Sequence, residues 1–444
     1  MKAALVNPCW DYRAGKRGPV YNRKFPPIAL ANIAGLLEQE QVQVSLLDAA
    51  TMNISPRQTA ERVKDADVVL LTSSPYDRWI CPDIAIDPFV RTAKRIKKQG
   101  QPLYIMGAHG TVFPQEMMEQ TGADGVISGE PEYAARDLVL AGGTDGVPGV
   151  IMPGKPMAAA QPPVDLNTLP MPAYHLFTPH TYKYEILGSD MMVFESSRGC
   201  PFPCIFCYKG MYGPKVRRKH TEKFIAEIEK ARKDLGIRSA YFMDLEFTIF
   251  PDMVRSICDA LLKRNIALDW CCQTRADAVD EDLLALMKRA GCRVIHYGVE
   301  SGSERVLKQI GKKIAKPAIA KGITLTKAAG IDTACFFMFG FPGETRQEMD
   351  QTIAFAKQLN PTYASFHVAI PYPGTAFYQQ RALREPGVFP ACFDGDYSLA
   401  ELEKVKRRAF MAFYLRPAYV LDRLRSGGIG SLYQQFKVFL WYLR

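Results

Sequence analysis

The sequence predicts an α/β protein with three parts: a doubly wound, Rossmann-like N-terminal domain, a partial (β/α)6 barrel and a helical C-terminal segment. Two series of alternating strand-like and helix-like patterns indicate the two sheets, one over residues 1–142 and one over residues 191–395. Residues 143–190 are rich in glycine and proline, which predicts a connector with little regular structure. Residues 396–444 carry a helical pattern with an excess of basic residues.

Composition excludes several classes of protein. The chain has 444 residues, of which 48% are hydrophobic and 23% charged, as expected of a globular protein. A net charge of +10 without long Lys/Arg runs argues against a nucleic-acid partner. We find neither a cleavable apolar signal nor an apolar run of membrane-spanning length, and therefore predict a cytoplasmic protein. Eleven cysteines, an odd number, argue against a disulfide framework.

The first series predicts five strands that alternate with helices. In order, the strand patterns cover residues 3–7, 42–49, 67–74, 102–108 and 122–130. Ligands of such sheets bind beyond the carboxyl ends of the strands, where the loops begin. The residues of those loops that we single out as candidates are Ser73, Ser74, Gly107 and His109.

The second series predicts six strands, each followed by a helix or loop. The strand patterns cover residues 191–197, 239–247, 268–275, 293–301, 332–340 and 362–370. Six units indicate an open barrel rather than a full eightfold one, and catalytic groups should then lie at the carboxyl ends of the strands.

Three cysteines lie close together directly after the first barrel strand. Cys200, Cys204 and Cys207 stand in the loop CPFPCIFC, and thiolates at this spacing can converge on one soft metal centre. Structural zinc normally recruits a fourth Cys or His, and the nearest histidine is His220, at a predicted helix start. Tyr208 after the last cysteine excludes covalent haem attachment. An iron–sulfur cubane with one iron left open fits three ligands better.

The motif CPFPCIFC, with an aromatic residue before its last cysteine, resembles the signature of the radical S-adenosylmethionine (SAM) superfamily. The resemblance implies a 4Fe–4S cluster on Cys200, Cys204 and Cys207. It also implies that SAM chelates the fourth iron and that one-electron reduction cleaves it to a 5′-deoxyadenosyl radical.

The resemblance further implies SAM contacts at the ends of the barrel strands. The candidates are Phe206 beside the adenine, Asp244 or Glu246 at the amino group, Arg275 at the carboxylate, Glu300 with Ser301 at the ribose or methionine part, and Gly340 with Gly343 at the adenosine. Leu245 separates the two acids, which are often adjacent in the family, so the choice between them stays open. Asp244, Glu246 and Arg275 could each equally form a structural ion pair.

The N-terminal domain is similar to that of cobalamin-binding radical SAM enzymes in the segments FPPIALANIAGLLEQ, SLLDAA and IMGAHGTVFPQEMMEQTGADGVISGEPE. The resemblance implies that His109 and its glycine-rich loop lie against the nucleotide tail of cobalamin; a loop histidine bonded to backbone is the alternative. The D-x-H-x-x-G motif is absent, because AATMN follows Asp48. A long loop after the third strand carries four further side chains that could cap a corrin, take its place or bind a substrate: Tyr76, Asp77, Arg78 and Trp79.

The resemblance implies a radical SAM enzyme that acts on an unactivated carbon of a small molecule and takes electrons from a reductant such as flavodoxin or ferredoxin. Two mechanisms stay open. In one, methylcobalamin gives its methyl group to a substrate radical and two SAM are consumed per turnover. In the other, the N-terminal domain holds no cobalamin, and hydrogen abstraction starts a dehydration, cyclisation or rearrangement, for example of a sugar or antibiotic precursor.

Two other interpretations are weighed beside these. A non-catalytic electron carrier would need a fourth protein ligand to the cluster, and no cysteine is placed to supply one. The basic C-terminal helices could contact an anionic membrane surface, or they could pack on the barrel with a solvated basic face.

Overall fold

The computed structural model describes residues 1–9, 25–73, 86–155, 159–184, 186–380, 392–393, 395–421 and 423–424. Among the candidates above, Ser74 and the group Tyr76, Asp77, Arg78 and Trp79 lie outside the described residues.

The N-terminal domain is a six-stranded sheet with helices on both faces. Its strands are β1 (Lys2–Asn7), β2 (Gln43–Asp48), β3 (Val68–Thr72), β4 (Leu103–Met106), β5 (Gly125–Ile127) and β6 (Val150–Ile151). Its helices are α1 (Ile28–Gln39), α2 (Ala49–Met52), α3 (Pro56–Arg62), α4 (Asp87–Lys98), α5 (Ala108–Val112), α6 (Pro114–Thr121) and α7 (Glu132–Leu140). The strand order is β2-β1-β3-β4-β5-β6, and β1 to β5 are parallel, which confirms the predicted doubly wound sheet.

Strand β6 was not predicted. It pairs antiparallel with β5 and lies within the segment expected to have little regular structure. Two residues are too few for a period to be read from the sequence, and pairing with β5 is what makes them a strand. The same segment also contains a 3-10 turn (Tyr174–Leu176) and the small hairpin of β7 (Lys183–Tyr184) and β8 (Gly188–Ser189).

The second half of the chain forms the barrel. Its strands are β9 (Met191–Phe194), β10 (Ser197–Arg198), β11 (Arg217–Arg218), β12 (Ser239–Phe242), β13 (Asp269–Thr274), β14 (Cys292–Glu300), β15 (Asp332–Phe339) and β16 (Tyr363–Val368). Its helices are α8 (Thr221–Leu235), α9 (Pro251–Lys263), α10 (Glu281–Arg289), α11 (Glu304–Gln309), α12 (Lys316–Ala328), α13 (Arg346–Leu359) and α14 (Ala376–Gln380). Parallel pairing in the order β16-β15-β14-β13-β12-β9 confirms the predicted partial barrel of six strands.

Helix α15 (Leu399–Tyr414) covers the edge strand β16. The Tyr414 hydroxyl accepts a hydrogen bond from the backbone N–H of Ala364 at 2.9 Å and donates one to the carbonyl of the same residue at 2.8 Å. The apolar side chains of α15, such as Phe410 and Phe413, are buried, while its basic residues Arg407 and Arg408 are exposed. Over the described residues, no helix is both long and apolar enough to cross a bilayer.

A buried group of charges joins the two domains. The Arg198 guanidinium, on β10, donates to Glu130 at 2.8 Å and to Glu195 at 2.8 Å and 3.0 Å, and it also bonds Glu132. The Arg198 side chain is 1% exposed, and its three partners are at most 5% exposed. Glu130 and Glu132 follow β5 of the N-terminal domain, so Arg198 connects the two sheets, and Arg217 of β11 pairs with Glu130 as well.

We predict that Arg198→Met lowers the free energy of unfolding by about 3–5 kcal/mol, because it removes a counter-charge from three buried carboxylates, of which only Glu130 keeps a second arginine partner, Arg217. Chemical denaturation followed by circular dichroism measures the change. The matched control is Arg264→Met, which removes an arginine that pairs with Glu222 and Glu229 at the surface and should have little effect. A loss no larger than that of the control would contradict the prediction.

Candidate active site

The three-cysteine loop is held between two short paired strands. Strands β10 and β11 pair antiparallel and close the loop, which begins at Gly199. Gly199 has φ +97°, and a Cβ there would lie 2.3 Å from the Lys215 carbonyl oxygen, so only glycine fits this turn. The chain therefore reverses sharply just before Cys200, at the carboxyl end of the first barrel strand.

A second contact fixes the loop from the opposite side of the barrel mouth. The backbone N–H of Ile205 donates to the carbonyl of Ile310 at 3.0 Å, and the Cys204 Sγ lies 3.9 Å from the carbonyl oxygen of Gly311. A Cβ at Gly311 would lie 2.5 Å from the Pro203 carbonyl oxygen, so the turn after α11 and the cysteine loop touch through their backbones.

The three thiols share one environment. Cys200 is buried, and Cys204 and Cys207 are half-buried. Burial raises the pKa of each thiol, neighbouring cysteines raise the pKa of Cys200 and Cys207 further, and the ammonium of Lys209 opposes the rise at all three. Each thiol thus lies close enough to another to feel its charge.

This arrangement fits an iron–sulfur cluster. Within the described ranges no group of three or more His, Cys, Asp or Glu side chains could hold a single metal ion. A cubane is held at its corners, so its thiolates stand farther apart than the ligands of one ion. Cys200, Cys204 and Cys207 would hold such a cluster and leave one iron open.

Asp244 and Glu246 have different surroundings. Asp244 is fully buried and accepts hydrogen bonds from the Ser196 N–H at 3.1 Å, the Ser196 hydroxyl at 2.7 Å and the Ser197 hydroxyl at 2.5 Å. Its carboxylate therefore holds the end of β9 in place. Sequence reasoning could not separate the two acids, because both follow β12 within a few residues.

Glu246 lies beside the cysteine loop. Its Oε2 accepts from the Arg275 N–H at 2.8 Å and from the Thr274 hydroxyl at 3.2 Å, while Oε1 has no hydrogen-bond partner among the described residues. Burial raises the pKa of Glu246 to about 7, although Lys312 and Arg275 oppose the rise. The negative charge of Glu246 raises the pKa of the Cys200 thiol.

The Arg275 guanidinium is engaged by groups of this chain. It donates to Asp277 at 2.9 Å and 2.7 Å, to the carbonyl of Lys312 at 2.6 Å and to that of Lys313 at 3.1 Å. It also lies 4.1 Å from the ring centroid of Phe202 in the cysteine loop. Arg275 therefore connects the end of β13, the turn after α11 and the cysteine loop.

Glu300 pairs with a buried lysine that sequence reasoning missed. The Lys312 ammonium donates to Glu300 Oε1 at 3.1 Å, and both side chains are 8% exposed. Glu300 has φ +67° at a register shift of β14, and a Cβ at Gly298 would lie 2.3 Å from Glu300 Oε1. The Glu300 carboxylate thus lies over Gly298. The positive charge of Lys312 lowers the pKa of the Cys204 thiol. In the sequence, the only local indication of this buried lysine was that two lysines, Lys312 and Lys313, stand side by side in a turn.

Ser301 is buried and its hydroxyl is bonded to other groups of this chain. Its hydroxyl is 3.1 Å from that of Thr352 on α13 and accepts from the Ser303 N–H at 3.1 Å. With an exposure of 0%, Ser301 fastens α11 and α13 to the end of β14.

The loop after β15 lies next to Phe206. The rings of Phe206 and Phe341 are 5.8 Å apart. Gly340 has φ +95°, and a Cβ there would lie 2.7 Å from Leu402 of α15, so this glycine permits helix packing. Its N–H donates to Glu344 Oε2 at 2.7 Å, and burial raises the pKa of Glu344 to about 7. At Gly343, by contrast, a Cβ would meet no atom within 4 Å, so Gly343 borders open space.

Small residues form the carboxyl edge of the N-terminal sheet. Ser73 is buried and its hydroxyl accepts from the Gly110 N–H at 3.2 Å, while Gly107 has φ +98° at the start of α5. His109 is fully buried, and its proximity to a nucleotide tail stays a prediction. A Cβ at Gly129 would meet no atom within 4 Å. The small residues and the open space at Gly129 leave room for a large group at this edge.

The two candidate sites are neighbours. The Thr111 hydroxyl of α5 lies 3.4 Å from the Met211 sulfur of the cysteine loop. The ring of Tyr208, directly after the last cysteine, is 5.4 Å from that of Tyr372, and both pack in a core shared with the N-terminal domain.

Comparison with known protein families gives two matches. The radical SAM superfamily matches residues 194–356, and the B12 binding domain matches residues 20–139. An uncharacterized methyltransferase of Pyrococcus horikoshii is 29% identical over 95% of this chain and 94% of its own. An anaerobic magnesium-protoporphyrin IX monomethyl ester cyclase of Rubrivivax gelatinosus is 27% identical over 86% of this chain and 70% of its own.

Two solved structures share the fold. The radical SAM methyltransferase TsrM from Kitasatospora setae, with cobalamin and a [4Fe-4S] cluster bound, superposes with a TM-score of 0.69 at 19% identity, covering 86% of this chain and 77% of its own. The cobalamin-dependent SAM radical enzyme OxsB with aqua-cobalamin bound gives 0.72 at 17% identity, covering 99% and 78%.

We predict that Cys200→Ala, Cys204→Ala and Cys207→Ala each abolish iron–sulfur absorbance and SAM cleavage after anaerobic reconstitution, because each removes one of only three ligands. Iron assay and visible spectra measure the first effect, and chromatography of 5′-deoxyadenosine measures the second. Cys335→Ala, a buried cysteine of β15, is the control and should keep both. SAM cleavage that persists in any loop variant would refute the assignment.

Proposed function

We propose that this chain, whose residues 194–356 match the radical SAM superfamily and whose residues 20–139 match the B12 binding domain, methylates an unactivated carbon of a small molecule in a cobalamin-dependent reaction. The observation that carries the proposal is the contact between α5 and the cysteine loop, made by Thr111 and Met211, because it brings the two cofactor sites together. The methyltransferase from Pyrococcus horikoshii, which spans nearly the whole chain, supports the same reaction class.

When bound, the cluster supplies the electron that splits SAM, and cobalamin carries the methyl group. The chain positions SAM through its own groups. Glu246, with Oε1 unoccupied, accepts the hydrogen bonds of the SAM ammonium group. Phe206 and the open backbone at Gly343 border the adenosine.

Arg275, Lys312 and Glu300 act mainly as positioning residues. Arg275 holds the turn that carries Lys312, and that turn contacts the cysteine loop at Gly311. Lys312 and Glu300 form a neutral buried pair beside Cys204, so they fix the loop without adding net charge.

The proposal includes an external one-electron reductant such as flavodoxin or ferredoxin. Contact of the C-terminal helices with an anionic membrane surface stays a prediction. Since α15 packs its apolar side chains on the barrel, this helix could offer lipid only its basic face.

A second candidate function follows from the likeness to the Rubrivivax gelatinosus cyclase. In that case hydrogen abstraction by the 5′-deoxyadenosyl radical starts a cyclisation, dehydration or rearrangement, and the N-terminal domain carries no cobalamin.

Reconstitution separates the two functions. After anaerobic cluster reconstitution with hydroxocobalamin and gel filtration, we expect about four irons and about one cobalt per chain by metal assay. A turnover that forms both S-adenosylhomocysteine and 5′-deoxyadenosine, with a product heavier by one methyl group, would then follow. Four irons without cobalt would refute the methylation proposal and favour the second function.

We predict that Glu246→Gln weakens SAM binding to the reconstituted enzyme by about tenfold or more, because it removes a charge-assisted hydrogen bond. Asp244→Asn should instead lower stability, because two serines and a backbone N–H donate to that carboxylate. Equilibrium dialysis measures the first effect and denaturation the second. Glu229→Gln, on the exposed face of α8, is the control. Equal SAM affinity in wild type and Glu246→Gln would contradict the assignment.

A further inference from the structure

The inner face of the barrel leaves an open space below the cysteine loop. On β13, β15 and β16, alternate side chains are partly exposed, namely Gln273, Phe336, Met338, Ser365 and His367. Their neighbours on the other face, such as Phe337 and Phe366, are fully buried, and Phe366 packs on Phe413 of α15. Since helices cover the outer face, partial exposure on the inner face marks a chamber inside the barrel.

The floor of the chamber is closed by His296, whose two ring nitrogens both have hydrogen-bond partners. His296 Nε2 is 3.1 Å from the Tyr184 hydroxyl, and Nδ1 is 2.6 Å from the Tyr241 hydroxyl. All three side chains are at most 2% exposed. Phe336 lies above them, with its ring 5.7 Å from that of His296 and 6.0 Å from that of His367.

His367 differs from His296 because only one of its two ring nitrogens has a hydrogen-bond partner among the described residues. Its Nε2 is 2.7 Å from the Ser365 hydroxyl, and Nδ1 has no partner among the residues that the structure describes. His367 is level with Met338 in the β15–β16 register, near the carboxyl ends of the strands. The ring thus lies in the part of the chamber nearest the cysteine loop.

The described lining of the chamber carries no net charge. Burial, with Lys406 nearby, lowers the pKa of His367 to about 4, so the ring is neutral at physiological pH. Gln273, Phe336, Met338 and Ser365 are uncharged. Lys406, the cation beside His367, pairs with Glu403. The charged groups at the barrel mouth include the pairs Glu300–Lys312 and Arg275–Asp277, and Glu246 and Lys209 lie there with opposite charges.

We propose that this chamber takes the reacting part of the substrate as an uncharged, mainly apolar group, and that His367 Nδ1 selects it through one hydrogen bond to a hydroxyl, N–H or carbonyl. The inference rests on the proposed function, because it assumes that the radical forms at the cysteine loop. A phosphate or carboxylate would enter an uncharged lining in which the cation beside His367, Lys406, is already paired with Glu403, and burial of an unpaired ion is strongly unfavourable. Phe336 and Met338 supply the apolar walls that small-molecule sites generally have.

Three probes of one size test the inference: toluene, 4-methylphenol and 4-methylbenzoate. A hydroxyl can donate or accept, so 4-methylphenol satisfies either tautomer of His367. Binding to the reconstituted holoenzyme with SAM is followed by ligand-observed NMR at probe concentrations up to about 1 mM. We expect 4-methylphenol to bind about three- to tenfold tighter than toluene, and 4-methylbenzoate to bind weakest.

His367→Phe should abolish the preference for 4-methylphenol over toluene, and His367→Gln, which can still form a hydrogen bond, should restore it. The exposed His175→Phe is the control and should behave as wild type. Iron content of each variant shows that the site is still assembled. An unchanged preference in His367→Phe, 4-methylbenzoate as the tightest probe, or no binding of any probe to wild type would overturn the inference. Because binding needs no methyl transfer, failure here is distinguishable from failure of the proposed function.

Discussion

The buried guanidinium of Arg198 is the interaction on which the arrangement of the two domains depends. It stands two residues before Cys200 and is enclosed by carboxylates from both sheets: Glu130 and Glu132 after β5, and Glu195 after β9. Buried ions are tolerated only when their partners are all in place, so such a group permits one geometry and penalises others. Arg198 therefore fixes the N-terminal sheet, the first barrel strand and the first cysteine relative to one another, and Arg217 of β11 adds a second ion pair to Glu130.

The alternation of short apolar runs with helical patterns was enough to predict both sheets, because strand and helix periods are local properties of the sequence. The cysteine loop could be predicted equally well, because its three cysteines lie close together in the sequence. The distant partners of Arg198 could not be predicted, because Glu130 and Glu132 are 68 and 66 residues away and no local pattern links them. Lys312 escaped for the same reason: only the folded chain places its ammonium against Glu300 and near Cys204.

The strand-end polar residues divide into those that hold the barrel mouth and those that remain available. Asp244, Arg275 and Ser301 are hydrogen-bonded to groups of this chain, whereas one oxygen of Glu246 has no hydrogen-bond partner within the described part of the chain. Glu300 is held in a left-handed backbone conformation, which costs about 1–3 kcal/mol for a residue with a side chain. Contacts within this chain thus hold the strand ends in place, and the rest of the fold offsets the energetic cost of the strained backbone at Glu300.

An open sheet of six strands has two edges, and an uncovered edge strand is a template on which a second polypeptide can add a strand and begin to aggregate. At β16 the Tyr414 hydroxyl occupies both the N–H and the carbonyl of Ala364, and the Tyr419 hydroxyl donates to the Thr362 carbonyl at 2.8 Å. Two phenol groups from the C-terminal helical segment thereby take the positions that an intruding strand would use. Resistance of this edge to intermolecular strand pairing comes from side chains that follow the barrel in sequence, not from the strand itself.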